Sequence, residues 1–407
     1  MDQLKFYLNP EPKTPGKRGD LRFLSLSEAE KARRFHRTFS QYHPTPFLHL
    51  SNLAQHLGIG HLFVKDESQR FGLNAFKVLG ASYAIGHFVA QKLGCDISEI
   101  TAKSLRSTSL REGLGDVTFA TATDGNHGRA LAWAAQQLGA KSVVYMPKGS
   151  DPVRLEAIRS HGAMASITDL NYDDTVRMTF EQAKEHGWVV IQDTAWPGYE
   201  DIPRWIMQGY STIALEFLEQ LQEQGFYRPT HVFLQAGVGS FAGAVLGFLA
   251  SYLGGDLPTA VIVEPHNAAC IYHSARVGDG RAHAVRGDLD TIMAGLACGE
   301  PNTIGWEILR DYARAYVSCP DWVAANGMRV LAAPLRGDSP IISGESGAVT
   351  CGVLEQLMVK PDYEQLRQEL GLNPDSVVVL ISTEGDTSPK TYRDIVWYGK
   401  YSAPTRV

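Results

Sequence analysis

Cysteine is scarce in this chain: Cys95, Cys270, Cys298, Cys319 and Cys351 are the only five among 407 residues. They are odd in number, scattered and without Cys-x-x-Cys spacing, so neither a disulfide scaffold nor a zinc site is indicated. Positive charge is not in excess either, with 38 Lys and Arg against 44 Asp and Glu and a net charge of -6. No basic footprint for nucleic acid follows, and small molecules are the expected partners. No apolar run reaches the length of a membrane span, and the opening Met1-Asp2-Gln3-Leu4-Lys5 lacks a signal-peptide core. No membrane role is expected, and the cytoplasm is the expected location. A Walker ending of Gly-Lys-Ser/Thr, a dinucleotide fingerprint, an internal repeat and a low-complexity tract are all missing. His127 has no partner at ligand spacing, so no metal is expected.

The chain does have enough apolar residues for a large core, 44% against 20% charged, and a length that favours two domains around one interface. From residue 118 onward its pattern alternates. Strands are expected at 118–123, 142–146, 164–168 and 188–193, with helices at 129–138, 153–161 and 173–186 between them. A helix to 224, a strand at 231–234, a helix to 253 and strands at 259–264 and 376–381 continue the pattern. Such alternation implies an α/β fold with parallel strands and crossover helices. Reactive groups then belong at carboxyl ends of strands, where Asp124 and Asp193 fall. Before this, residues 1–43 read as an outer arm with a helix at 26–39 opened by Ser27, followed by a helix at 48–57 and a strand at 61–65. Residues 104–115 and 276–303 read as irregular, and 306–316, 321–335 and 347–358 as helical.

Three short stretches carry chemistry. Lys77, in Phe76-Lys77-Val78, follows a turn and opens an Ala- and Gly-rich helix among apolar neighbours. Partial desolvation there is expected to lower its pKa and favour the neutral, nucleophilic amine that forms Schiff bases. A surface lysine on a first helical turn is the ordinary alternative. Gly237-Val238-Gly239-Ser240 lies between a strand and a helix, where free N–H groups can hold a phosphate, although a plain tight turn also fits. Asp124-Gly125-Asn126-His127 puts polar side chains and N–H groups at another strand-to-helix turn; an Asx turn explains one of them but not all. Taken singly, Ser382 also reads as a turn former and Glu345 as a helix cap.

As an ordered set, Pro44-Thr45-Pro46, Val64-Lys65-Asp66-Glu67, Phe76-Lys77, Gly125-Asn126-His127, the glycine loop and the Ser382 turn resemble the fold type II pyridoxal phosphate enzymes over nearly the whole chain. Within that superfamily Ala122 to Gly128, Gln192 to Trp196, Met293 to Gly299 and Ser382 to Thr387 are most similar to the diaminopropionate ammonia-lyases. Thr123 stands where the dehydratases usually have serine, and Asp124 adds a carboxylate. Val238 and Ser240 replace two glycines of the common phosphate loop.

The resemblance implies two open, twisted parallel-sheet domains with the cofactor in the cleft between them. The larger would comprise residues 1–84 and 196–407, and the smaller, residues 85–195, would carry the substrate-carboxylate loop. It implies pyridoxal 5'-phosphate on Lys77, with Phe76, Asn126, Gly237, Val238, Gly239, Ser240 and Ser382 around it, Ser382 at the ring nitrogen. Lys77, Asp124 and Asp193 would be catalytic. Thr123, Asp124, His127, Tyr172, Asp193, Glu345 and Thr387 would meet the substrate. The implied reaction is α,β-elimination of D- and L-2,3-diaminopropionate to pyruvate and ammonia, by a homodimer. A serine or threonine dehydratase is the nearest alternative, but two carboxylates suit a β-ammonium better than a hydroxyl. A cofactor-binding protein without catalysis and a β-replacement synthase are the further alternatives.

Overall fold

The computed structural model describes residues 3–10 and 20–404, and among these there are eleven strands in two sheets. They are β1 (Lys5–Leu8), β2 (Phe47–His49), β3 (His61–Asp66), β4 (Thr118–Ala122), β5 (Lys141–Met146), β6 (Met164–Ile167), β7 (Val189–Val190), β8 (His231–Gln235), β9 (Thr259–Pro265), β10 (Ala315–Cys319) and β11 (Val377–Ser382). The larger sheet runs β1-β10-β9-β8-β11-β3-β2 and the smaller β6-β5-β4-β7. All pairs in the smaller sheet are parallel, as are the five inner strands of the larger; only the edge strands β1 and β2 run antiparallel.

Residue chemistry explains the layering. β11 reads Val-Val-Val-Leu-Ile-Ser and is buried throughout, the mark of a parallel strand covered on both faces. Its alternate residues go to different cores: Val377, Val379 and Ile381 to one, Val378 and Leu380 to the other. β8 divides likewise, with Val232 and Leu234 on the first face and Phe233 on the second. The first core continues through Tyr83, Ile85 and Tyr210 to Phe119 and Leu131 beneath the smaller sheet, so apolar packing links the two sheets.

Several local expectations change. Residues 306–316 are not one helix: the helix Thr303–Tyr312 stops and β10 begins at Ala315. Apolar Ala315-Tyr316-Val317 completes the sheet by pairing with both β1 and β9, a long-range gain that local periodicity does not register. Phe47–His49 pairs with β3 before the helix Ser51–Leu57 starts, and Leu26–Arg37 begins after Ser25 rather than at Ser27. The segment 104–115 contains the helices Ala102–Leu105 and Thr108–Leu114, and Cys270–Val277 forms a helix the pattern had not suggested. The fourth strand of the smaller sheet shortens to Val189–Val190. All five cysteines are free thiols.

Candidate active site

Between the carboxyl ends of the two sheets lies a cleft, and twelve residues singled out in the sequence line it. Phe76 and Lys77 stand before the helix Val78–Leu93, Thr123 to His127 turn β4 into the helix Asn126–Leu138, and Tyr172 opens the helix Tyr172–His186. Asp193 follows β7, and Gly237 to Ser240 join β8 to the helix Ser240–Leu253. Each reaches the cleft because a parallel strand ends there and a crossover begins.

Lys77 is only partly exposed, and its ammonium donates to Asp193 Oδ2. Burial works to lower the Lys77 pKa, but Asp193, with Tyr210 and Asp124, outweighs it and holds the amine well above its usual range. The neutral amine expected from desolvation is therefore corrected: in this geometry Lys77 is an ammonium paired with a carboxylate. Burial likewise pushes Asp193 upward, yet Lys77, by its charge and its hydrogen bond, brings it down to about 2. For Asp124 burial wins and its pKa is raised, although Arg154 and Lys77 oppose it. One carboxylate is thus firmly ionised and the other is the more basic. Burial keeps His127 neutral; its Nε2 lies 2.7 Å from Ile191 O and its Nδ1 3.9 Å from Asp193 Oδ2.

The glycine turn suits a phosphate. Gly239 has φ +94°, a left-handed conformation that turns the chain into the Ser240–Leu253 helix, whose first N–H groups have no acceptor within the helix. The Ser240 hydroxyl is already engaged, donating to Asp193 O and accepting from Asn302 Nδ2 at 2.6 Å, which leaves its N–H as the group to offer. Gln235 Oε1 and His127 Nδ1 are buried on the cleft without a hydrogen-bond partner among the described residues. A lysine amine, a glycine turn at a helix start and unpartnered buried polar atoms around one cleft fit a pyridoxal phosphate.

Three residues singled out in the sequence lie elsewhere. The Ser382 hydroxyl donates to Ser343 Oγ at 2.7 Å behind the wall, and the hydroxyl on the cleft is that of Thr383, accepting from Gln235 Nε2 at 2.9 Å. Thr387 accepts from Arg154 at 2.9 Å. Glu345 lines an adjoining cavity with Arg154, its carboxyl pushed up to about 7 by burial and by Glu384. Sequence reasoning missed Gln235, Glu384 and Arg154. Glu384 stood inside a stretch already noted, and it accepts from the Asn126 amide at 2.5 Å. Arg154, on the helix Pro152–Arg159, offered no signal, because a helix arginine ordinarily faces water.

A sequence model of the family described as pyridoxal-phosphate dependent enzyme matches residues 38–384. The chain is 52% identical to a diaminopropionate ammonia-lyase of Salmonella typhimurium, covering 98% of each, and 53% identical to that of Escherichia coli, covering 93% of each. Among solved structures it is similar to the holo diaminopropionate ammonia lyase from Escherichia coli, with a TM-score of 0.91 at 50% identity over 99% of this chain and 98% of that one. The same enzyme in complex with an aminoacrylate-PLP azomethine reaction intermediate gives a TM-score of 0.90 at 50% identity, covering 99% of each.

Proposed function

The chain belongs to the pyridoxal-phosphate dependent enzymes, and from that premise we propose that it is a carbon–nitrogen lyase eliminating the β-amine of 2,3-diaminopropionate to give pyruvate and ammonia. The observation that carries this reading is the pair of carboxylates, Asp124 and Asp193, flanking Lys77 in one cleft. When bound, pyridoxal phosphate supplies an electron sink that acidifies the Cα hydrogen of the attached amino acid. The chain's residues do the rest. Lys77 is the amine that carries the cofactor, and the N–H groups of Gly237 to Ser240 hold its phosphate. The Thr123–His127 turn receives the substrate carboxylate through N–H groups, as a helix start can.

With carboxylate and amine held alike, the Cα hydrogens of D and L substrates point in opposite directions, so one base cannot serve both well. Lys77, freed as a neutral amine when substrate takes its place, takes the L proton; Asp124 takes the D proton. Burial makes Asp124 the better proton acceptor of the two carboxylates. Asp193, which stays ionised, holds the β-ammonium until it leaves as ammonia. Water then hydrolyses the resulting enamine, releasing pyruvate and the second ammonia.

A serine or threonine dehydratase would lose a neutral hydroxyl and make no use of Asp193. The test is product analysis on D- and L-2,3-diaminopropionate beside D- and L-serine and threonine. Pyruvate with two ammonia per turnover, fastest on the diamino acids, is expected; faster turnover of serine or threonine would favour the dehydratase. The division into residues 1–84 with 196–407 and residues 85–195, the homodimer and the cytoplasmic location belong to the same proposal. No helix among the described residues is long and apolar enough to cross a membrane. Sedimentation equilibrium of the purified chain tests the dimer.

A further inference from the structure

We propose that Arg154 is the positioning residue for the D-isomer half of this reaction, setting the direction and charge state of the Asp124 carboxylate. The inference rests on the reading of Asp124 as base given above. Arg154 is buried on the cavity that adjoins the cleft, and Asp124 lines both. Nη1 donates to Asp124 Oδ2 at 3.2 Å, Nη2 to Thr387 Oγ1 at 2.9 Å and Nε to Ser388 Oγ at 3.2 Å. One arm therefore grips the base beyond β4, while the others grip the segment that follows β11. Gly125 makes this path possible: its φ is +143°, and a Cβ there would lie 2.8 Å from Arg154 Cδ. A planar fork held at three points directs a carboxylate in a way a flexible ammonium cannot.

The charges around Asp124 show what Arg154 changes. Arg154 and Lys77 favour its ionised form, whereas burial, Glu384 and Asp193 oppose it. His127 is kept neutral by burial, and burial holds the Tyr172 and Cys298 protons in place; Tyr210 keeps its proton likewise. Arg154 in turn faces Glu384, Glu345 and Asp151 besides Asp124. Without the guanidinium Asp124 would lose its strongest counter-charge and keep Lys77, which is already committed to Asp193. A buried carboxylate so placed takes up a proton and stops acting as a base. Lys77, the base for the L isomer, pairs with Asp193, whereas Arg154 holds Asp124, Thr387 and Ser388, so the two isomers should respond differently.

The test is kcat/KM against pH on both isomers for the cofactor-loaded enzyme and its Arg154→Gln and Arg154→Lys variants. For Arg154→Gln the acid limb of the D profile should move up by about 1 to 3 pH units, the span an opposing charge produces at this range, while the L limb stays. At a pH below both limbs D turnover should fall by the corresponding 10- to 1000-fold, about one decade per unit, and by less at neutral pH, with a loss on L at least tenfold smaller. Arg154→Lys should restore the limb but only part of kcat. An unmoved D limb, or equal changes on both isomers, would overturn the proposal and leave Arg154 a structural residue. Should Arg154→Gln not fold, Thr387→Val loosens one arm: it should lower kcat on D more than on L, and equal losses would again refute positioning. A wild-type enzyme that makes no pyruvate from either isomer would instead sink the underlying functional reading.

Discussion

Lys65 and Lys77 stand one strand end and one turn apart, both set among carboxylates, and they do opposite things. Lys65 is fully buried in a sealed cluster: Nζ donates to Glu216 Oε2 at 2.7 Å, Gln220 Oε1 at 2.7 Å and Thr45 O at 2.9 Å. Arg70, also buried, pairs with both Glu216 and Glu67 beside it. The cluster has two cations and two carboxylates, all four of them buried. Lys77 keeps 16% of its side chain exposed and opens onto the cleft. Burial, helped by the Arg70 charge, pulls the Lys65 pKa down despite Glu216, whereas carboxylates hold that of Lys77 up. A search for the depressed lysine would therefore select the wrong one. The difference that matters is access: a reactive group needs space for its reactant, and buried charge by itself marks structure as often as chemistry.

The comparison breaks most sharply on paired substitutions. Lys77→Ala should fold yet, after dialysis, show no visible absorbance from lysine-bonded cofactor and release no pyruvate. A borohydride-reducible chromophore surviving in that variant would move the cofactor to another lysine. Lys65→Met should do the reverse, costing about 3 to 5 kcal/mol of stability, the penalty for breaking a buried ion pair, with activity per folded molecule largely kept. Urea denaturation midpoints and cofactor content measured together decide it; an inactive but equally stable Lys65→Met would erase the distinction.

Asp124→Asn keeps the shape of the base and removes its basicity. Turnover of D-2,3-diaminopropionate should fall roughly 10²- to 10⁴-fold, with a loss on the L isomer smaller by tenfold or more. Equal losses would reduce Asp124 to a general binding group.

The sealed cluster should also show itself in acid. His36, between Leu79 O at 2.9 Å and Thr212 Oγ1 at 3.1 Å, is brought down to about 3 by burial, with Arg70 adding to the effect. The unfolded chain binds that proton from about pH 6.5 downward and the folded one only near pH 3, so stability should rise with pH across this window by up to about 1.4 kcal/mol per unit. His36→Gln should flatten that part of a melting-temperature profile while leaving the activity profile in place. An unchanged slope would remove His36 from the cause.

The smallest effect separates Ser382 from Thr383. Ser382→Ala breaks a hydrogen bond to Ser343 behind the wall and should cost about 1 kcal/mol of stability with little change in kcat/KM. Thr383→Val, on the cleft, should lower kcat/KM by roughly tenfold, the worth of about 1.4 kcal/mol of transition-state contact. Should Ser382→Asp divert product towards transamination or racemisation, Ser382 would return to the ring nitrogen that resemblance gave it.

That one-residue ambiguity shows where reading the chain ran out. Side chains alternate across a strand, so a motif locates the end of β11 while a single step of register decides whether Ser382 or Thr383 faces the cleft. β10 escaped for a similar reason, since its pairing with β1 and β9 joins segments remote in sequence. By contrast, Asp124, Asp193 and the Gly237–Ser240 turn were legible because each follows an apolar run, and parallel strands with crossovers put those ends on one edge. Local chemistry and period thus determined by themselves the α/β alternation and the strand ends at which Asp124, Asp193 and the Gly237–Ser240 turn fall. Tertiary structure alone decided that Asp193 pairs with Lys77, that Lys65 is sealed, and that an arginine from a distant helix grips Asp124. Ionisation and orientation depend on distances between groups the chain brings together only on folding, and Coulomb interactions in a buried site change steeply over a few ångströms.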